Sequence, residues 1–197
     1  MKRSDVEVID EQTVYAGFAD IVKYHVRHRL FSGEWSPVFE REIYTRADAV
    51  GVLIYDPHQE AIAFVEQFRP GAMGREFSPW SLELVAGLIE SGETLESVVI
   101  REAKEEAGVT ISPENVHYLF DYLSSPGGSS ERVYIYYAEA AISKSLQTFG
   151  LAEESEDIKL HVVPVKEAIQ WCREGRIKNA MTLLAIQQFA LGWINKG

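Results

Sequence analysis

The chain has a single cysteine, Cys172, among 197 residues, so no internal disulfide can form. Its setting, VKEAIQWCREG, reads as a helix carrying a partly buried small side chain rather than a nucleophile. Basic residues are also scarce: 19 Lys and Arg stand against 30 Asp and Glu, a formal charge of −11. Such a balance repels a phosphate backbone and argues against nucleic acid as a partner. No apolar run is long enough to span a bilayer, and none follows the polar start MKRSDVEVIDEQ. Neither a membrane segment nor a signal peptide is therefore expected, and the expected compartment is the cytoplasm. His25, His28, His58, His117 and His161 lack metal-ligand spacing and receive no catalytic role. Internal repeats and low-complexity linkers are missing too.

What is present is 46% hydrophobic and 11% aromatic residues, enough for one sizeable core. DIVKYHVRHRLF alternates Val22, Tyr24 and Val26 with Lys23, His25 and Arg27, and Ser32-Gly33 offers a turn before VFEREIYT, which together predict an N-terminal antiparallel meander. Ala49 to Tyr55, Ala61 to Phe68, Ser81 to Val85, Val133 to Tyr137 and IKLHVVPV supply strands for a central sheet, with a turn at Asp56-Pro57 and a loop from Arg69 to Pro79. Two helices close the chain, about Val165 to Glu174 and Asn179 to Trp193. The fold class read from this order is α+β, with a mixed sheet between helices.

Chemistry concentrates between Gly87 and Val109, GLIESGETLESVVIREAKEEAGV. A helix is predicted from about Thr94 to Ala107, ended by Gly108. At about 100° per residue, Leu95, Val98 and Val99 share a face that continues through Glu102, Glu105 and Glu106, while Ser97, Arg101 and Lys104 lie opposite. The acids thus point inward. Glu102 and Glu106 are like-charge neighbours near the negative end of the helix dipole, which costs on the order of 1 kcal/mol without a counter-charge. A divalent cation would reverse that cost. Carboxylates without a Cys or His cluster suit Mg²⁺ or Mn²⁺ rather than zinc.

This stretch resembles the Nudix box, the signature of the Nudix hydrolases, at every defining position. Outside it, YAGF, VRHRLFSG, REIY, VEQFR, LELVAG, SSPGGSSER and GLAEESEDI extend the resemblance to bacterial ADP-ribose pyrophosphatases along nearly the whole chain. The resemblance implies a Nudix α/β/α sandwich over residues 47–197, preceded by an N-terminal strand subdomain over 1–46 that serves dimerisation and is exchanged between the subunits of a homodimer. It implies magnesium ligands at Glu102 and Glu106, joined by the carbonyl of Ala86, by Glu156 and by Glu105. Glu154 is implied as the general base. For the substrate it implies Phe18 against adenine, followed by Ala19; Arg41 and Arg69 on phosphate or adenosine; Leu88 as a wall; and Ser125, Pro126, Gly127 and Glu131 around the terminal ribose. Glu93 and Arg101 are expected to form an ion pair bracing the loop on the helix. The expected reaction is hydrolysis of ADP-ribose to AMP and ribose 5-phosphate. GDP-mannose or a UDP-sugar is the alternative substrate, and a non-catalytic ADP-ribose-binding regulator is the alternative of another class.

Overall fold

The computed structural model describes residues 1–143, 145, 148–151 and 155–192. Two compact units emerge, one of residues 1–48 with 123–132, the other of residues 49–122 with 133–197. In the first, β1 (Val6–Tyr15), β2 (Asp20–His28) and β3 (Phe39–Thr45) form an antiparallel sheet with β2 in the middle. The 123–132 segment attaches to β3 where the Tyr44 amide donates to the Gly128 carbonyl (2.9 Å) and the Ser130 amide to the Tyr44 carbonyl (3.1 Å). Strand β1 was not legible from alternation. Register shifts between Val8 and Asp10 and between Thr13 and Tyr15 break its period of two, and most of its side chains are exposed.

The second unit is built on a sheet ordered β10-β11-β5-β4-β9-β8, from β10 (Thr148–Phe149), β11 (Ile158–Pro164), β5 (Ala61–Phe68), β4 (Ala49–Asp56), β9 (Arg132–Glu139) and β8 (Val116–Leu123). Its β4–β9 pairing is parallel and the pairings of β4 and β11 with β5 are antiparallel, so the sheet is mixed. The residues expected to form one strand from Ser81 to Val85 form two, β6 (Trp80–Glu83) on β5 and β7 (Val85–Leu88) on β4. The break falls at Leu84, whose amide is taken by the buried Thr182 hydroxyl at 3.0 Å instead of by a neighbouring strand.

Strand alternation distributes side chains to both faces. Val50, Val52, Ile54, Ala63 and Val65 pack with Val98, Val99, Ala103 and Ala107 of helix α1 (Leu95–Ala107), and Leu53, Ile62 and Phe64 pack with helices α2 (Val165–Arg173) and α3 (Ala180–Ala190) through Ala168, Trp171, Met181, Ala185 and Ile186. Helices therefore cover both sides of the sheet, as the α+β reading required. Each fully buried Val or Ile here contributes about 1.5–3 kcal/mol of burial. Among the described residues no helix is long and apolar enough to cross a membrane.

Strand β4 ends on a polar anchor. Buried Asp56 accepts from the amides of His58 (2.9 Å), Gln59 (3.2 Å) and Ile142 (2.9 Å) and from the Gln59 side chain (2.6 Å). The Ile142 amide first, and then the Gln59 and His58 donors, outweigh burial and bring its carboxyl down to about 2. A depressed carboxylate stabilises above its unfolded value, near 4, and loses that contribution as pH falls through about 2. Asp56→Ala should cost about 2–3 kcal/mol at pH 7, and the deficit should shrink between pH 4 and pH 2. Urea unfolding across that range checks it; a pH-independent deficit would show that the carboxylate charge is not the source.

Candidate active site

Helix α1 begins as the sequence suggested. The Thr94 hydroxyl accepts from the Ser97 amide, the Ser97 hydroxyl accepts from the Thr94 amide, and Gly108 closes the helix in the left-handed region at φ 64°. The inward face carries Val98 and Val99 and then Glu106, only 3% exposed. Glu106 accepts from the Ala86 amide (3.0 Å) and from the Gln67 side chain (3.3 Å), both neutral donors. Burial pushes its carboxyl up to about 8, and the charges of Glu102 and Glu156 add to the rise against the pull of the Ala86 amide and of Arg69. Burial raises Glu102 as well, against the attraction of Arg101.

Arg101 departs from its expected place on the solvent face. Its guanidinium turns back over the acidic face, because a long flexible side chain reaches partners one and four residues onward. Nε and Nη2 hold Glu93 at 2.9 and 3.1 Å, and Nη1 holds Glu102 at 2.7 Å and Glu105 at 3.1 Å. Nη2 also reaches the Leu88 carbonyl at 3.4 Å. One cation thus ties the loop before the helix to two carboxylates on it, and Glu93 is correspondingly lowered by the Arg101 bond.

Arg69, at the end of β5, donates to Glu83 through Nη2 (2.8 Å) and Nε (3.2 Å). Burial alone would lower the guanidinium, but Glu83, Glu106 and Glu156 carry it above the ordinary arginine value. The Glu156 carboxylate accepts from the Leu151 amide at 3.2 Å and adds to the field at Glu102 and Glu106. The second unit therefore assembles Glu83, Glu106 and Glu156 around Arg69, with Glu102 in the field of Glu106 and Glu156, an acidic site with too few cations of its own. Among the described residues, no three of His, Cys, Asp and Glu converge into a ready coordination shell. Arg101 draws off Glu102 and Glu105, and Ala86 and Gln67 hold Glu106. The surplus negative charge and all-oxygen donors fit a hard divalent cation.

Leu88 ends β7 in the second unit, and the remaining implied substrate residues lie in the first. Phe18 is 84% exposed. Arg41 donates to the Glu40 carbonyl (2.7 Å) and lies over the Phe39 ring at 4.7 Å. The Ser125 carbonyl accepts from the Gly128 and Ser129 amides in the turn that contains Pro126 and Gly127. The Glu131 carboxylate is engaged by Arg46, with Nε at 2.7 Å. Glu154, the implied base, lies outside the described residues, as does Trp193, at the expected end of the last helix. Gln67 and Glu83, both buried at the site, carry only faint signals in the sequence. The signal for Gln67 was its place in phase with Ala63 and Val65 on the face of β5 that packs under α1; for Glu83 it was an acid framed by Leu82 and Leu84.

A sheet covered on both faces, with two helix-borne glutamates in a protected acidic site, is the arrangement that the resemblance to the Nudix hydrolases implied. The chain belongs to this family, whose NUDIX domain matches residues 45–183. Among individual proteins it is similar to the ADP-ribose pyrophosphatase of Escherichia coli K12, 42% identical over 189 residues that cover 96% of this chain and 90% of that protein. The ADP-ribose pyrophosphatase of Haemophilus influenzae is 39% identical over 194 residues, 97% of this chain and 88% of its own. Similarity to the GDP-mannose pyrophosphatase of Pectobacterium atrosepticum is lower and shorter, 36% over 160 residues and 80% of each chain.

The glycine that opens the box has a steric reason. A Cβ on Gly87 would sit 1.6 Å from Oε1 of Glu102, so the carboxylate rests directly on the backbone of β7. Gly87→Ala would displace the flexible end of that side chain without disturbing the sheet. Hydrolysis should fall about 100-fold while unfolding temperature changes little. Steady-state rates beside a thermal melt check this, and an active, equally stable variant would show that the position of the Glu102 carboxylate does not matter for hydrolysis.

Proposed function

We propose that the protein hydrolyses ADP-ribose to AMP and ribose 5-phosphate, with Mg²⁺ or Mn²⁺ as cofactor. The observation that carries this reading is the burial of Glu106 next to Glu102 and the Arg69 guanidinium, in a chain that shares 42% identity with an ADP-ribose pyrophosphatase over 96% of its length. Glu102 and Glu106 would hold the cation, with the Ala86 carbonyl, Glu105 and Glu156. When bound there, a cation would supply charge compensation for the diphosphate and lower the pKa of a water molecule. Arg101 sets the direction of Glu102 and Glu105, and Arg69 offers a guanidinium to a phosphate oxygen. Leu88 lines the approach. Glu154 would act as the general base that takes the proton from the attacking water.

The first unit is read as the dimerisation element. Val6, Val8, Ile9, Val14, Tyr15 and Phe18 are exposed along and just after β1, an apolar display that suits a second copy of the chain. In that homodimer Phe18, followed by Ala19, and Arg41 serve a site shared between the two copies, and Ser125, Pro126, Gly127 and Glu131 hold the terminal ribose. The reaction belongs in the cytoplasm, where a lone thiol stays reduced.

Incubating the purified chain with ADP-ribose, GDP-mannose, UDP-glucose and NADH, with and without Mg²⁺, tests the proposal. Fastest release of AMP and ribose 5-phosphate from ADP-ribose, dependent on the cation, is the expected result. Faster cleavage of a sugar nucleotide would reassign the substrate, and binding of ADP-ribose without cleavage would make the protein a regulator.

A further inference from the structure

Apart from the acidic centre, the second unit contains a cavity of about 570 Å³ between the 69–82 segment and the turn at 175–179. That volume lies in the range of sites for ligands of drug or nucleotide size. Its lining reverses the character of the chain. In a protein of net charge −11, Arg69, Arg75, Arg176 and Lys178 converge there, with the rings of Phe77 and Trp80. Among the described residues no carboxylate forms a salt bridge with Arg75, Arg176 or Lys178. Arg176 lies 3.9 Å over the Trp171 ring, and Lys178 stands 5.7 Å from the Phe77 ring. The acid in the lining, Glu66, is occupied by His161 at 2.8 Å. Trp80 meets Phe68 edge-on at 5.3 Å and remains 55% exposed.

Unpaired cations call for an anion, and an exposed indole offers a stacking surface for a flat ring. We infer that this cavity is an accessory site for a nucleoside monophosphate, its phosphate held by Arg75, Arg176 and Lys178 and its base by Trp80. A polynucleotide is disfavoured by the acidic remainder of the chain, whereas a single phosphate enters against little repulsion. The site is distinct from the acidic centre but linked to it. Arg69 lines the cavity while its guanidinium holds Glu83 and lies in the field of Glu106 and Glu156.

Calorimetric titration of the full chain with AMP in EDTA tests the inference without calling on the hydrolytic centre. One-to-one binding is expected, tighter than that of inorganic phosphate. The Arg75→Ala/Lys178→Ala double variant and Trp80→Ala should each weaken it by about 10-fold or more, with unchanged unfolding temperatures. Glu106→Gln should leave it intact. No binding in EDTA, equal affinity in the Arg75/Lys178 variant, or loss in Glu106→Gln would each overturn the assignment, the last by placing AMP in the acidic centre. Equal affinity for phosphate and AMP would overturn the role of Trp80.

Discussion

Glu106→Gln should lower turnover of ADP-ribose by about 1,000-fold or more and, in EDTA at pH 8, make the protein harder to unfold. Both effects have one cause. The native site buries Glu106 among neutral donors and beside other acids, which raises its carboxyl to about 8, whereas in the unfolded chain it ionises near 4.5. Between those values the native state holds a proton that the unfolded state has released, so stability falls as pH rises, by at most about 1.4 kcal/mol per pH unit. Glutamine keeps the shape and carries no charge. The variant should melt on the order of 5 °C above the parent at pH 8 in EDTA, with the gap closing toward pH 5. Millimolar Mg²⁺ should raise the parent's melting temperature and leave the variant's where it was. Melts at both pH values, with and without the cation, decide the matter. A variant no more stable than the parent at pH 8, or one equally stabilised by Mg²⁺, would show that Glu106 is not the carboxylate that meets the cation.

Arg101→Ala should have the opposite sign on stability. This side chain satisfies Glu93, Glu102 and Glu105 together, and its removal leaves three carboxylates repelling one another at the foot of the box. Unfolding temperature should drop by on the order of 5 °C, and activity by about 100-fold through misdirected Glu102 and Glu105. Arg101→Lys separates geometry from charge. A lysine restores one positive charge without the fork that holds Glu93 through two nitrogens, so it should recover part of the stability and little of the activity. Full recovery of activity by lysine would mean that charge alone matters, and the bracing role of the fork would have to be abandoned.

The parts of the molecule legible in the sequence were those written by periodicity and by turn chemistry. Val98 and Val99 announced the buried face of α1, Thr94 and Gly108 marked its ends, and the apolar runs at 49–55 and 61–68 gave the two central strands. Less legible were features set by partners distant in sequence. The division of 80–88 into two strands depends on Thr182, roughly a hundred residues away, and no local pattern encodes it. Strand β8 reads poorly because its position at the end of the sheet leaves it half exposed and mixed in composition. In the site, the inward acids followed from helix geometry, but the turn of Arg101 toward them did not. Helical phase fixes where a Cβ points and says little about the end of a long side chain.

The parallel pairing of β4 with β9 has a consequence for how the molecule comes into being. Ala49 is matched with Val133 and Tyr55 with Glu139, so the middle of the sheet waits for a strand made long after its neighbour has left the ribosome. Hairpins such as β4–β5 can close early, but the apolar edge of β4 stays open through the synthesis of the whole box and its helix. Loop closure over such a span is slow relative to local structure, which places the formation of this ladder late in folding. The acidic helix α1 is thus complete before the platform beneath it is, and the nascent chain passes through a stage in which its acids are present without the buried setting that perturbs them.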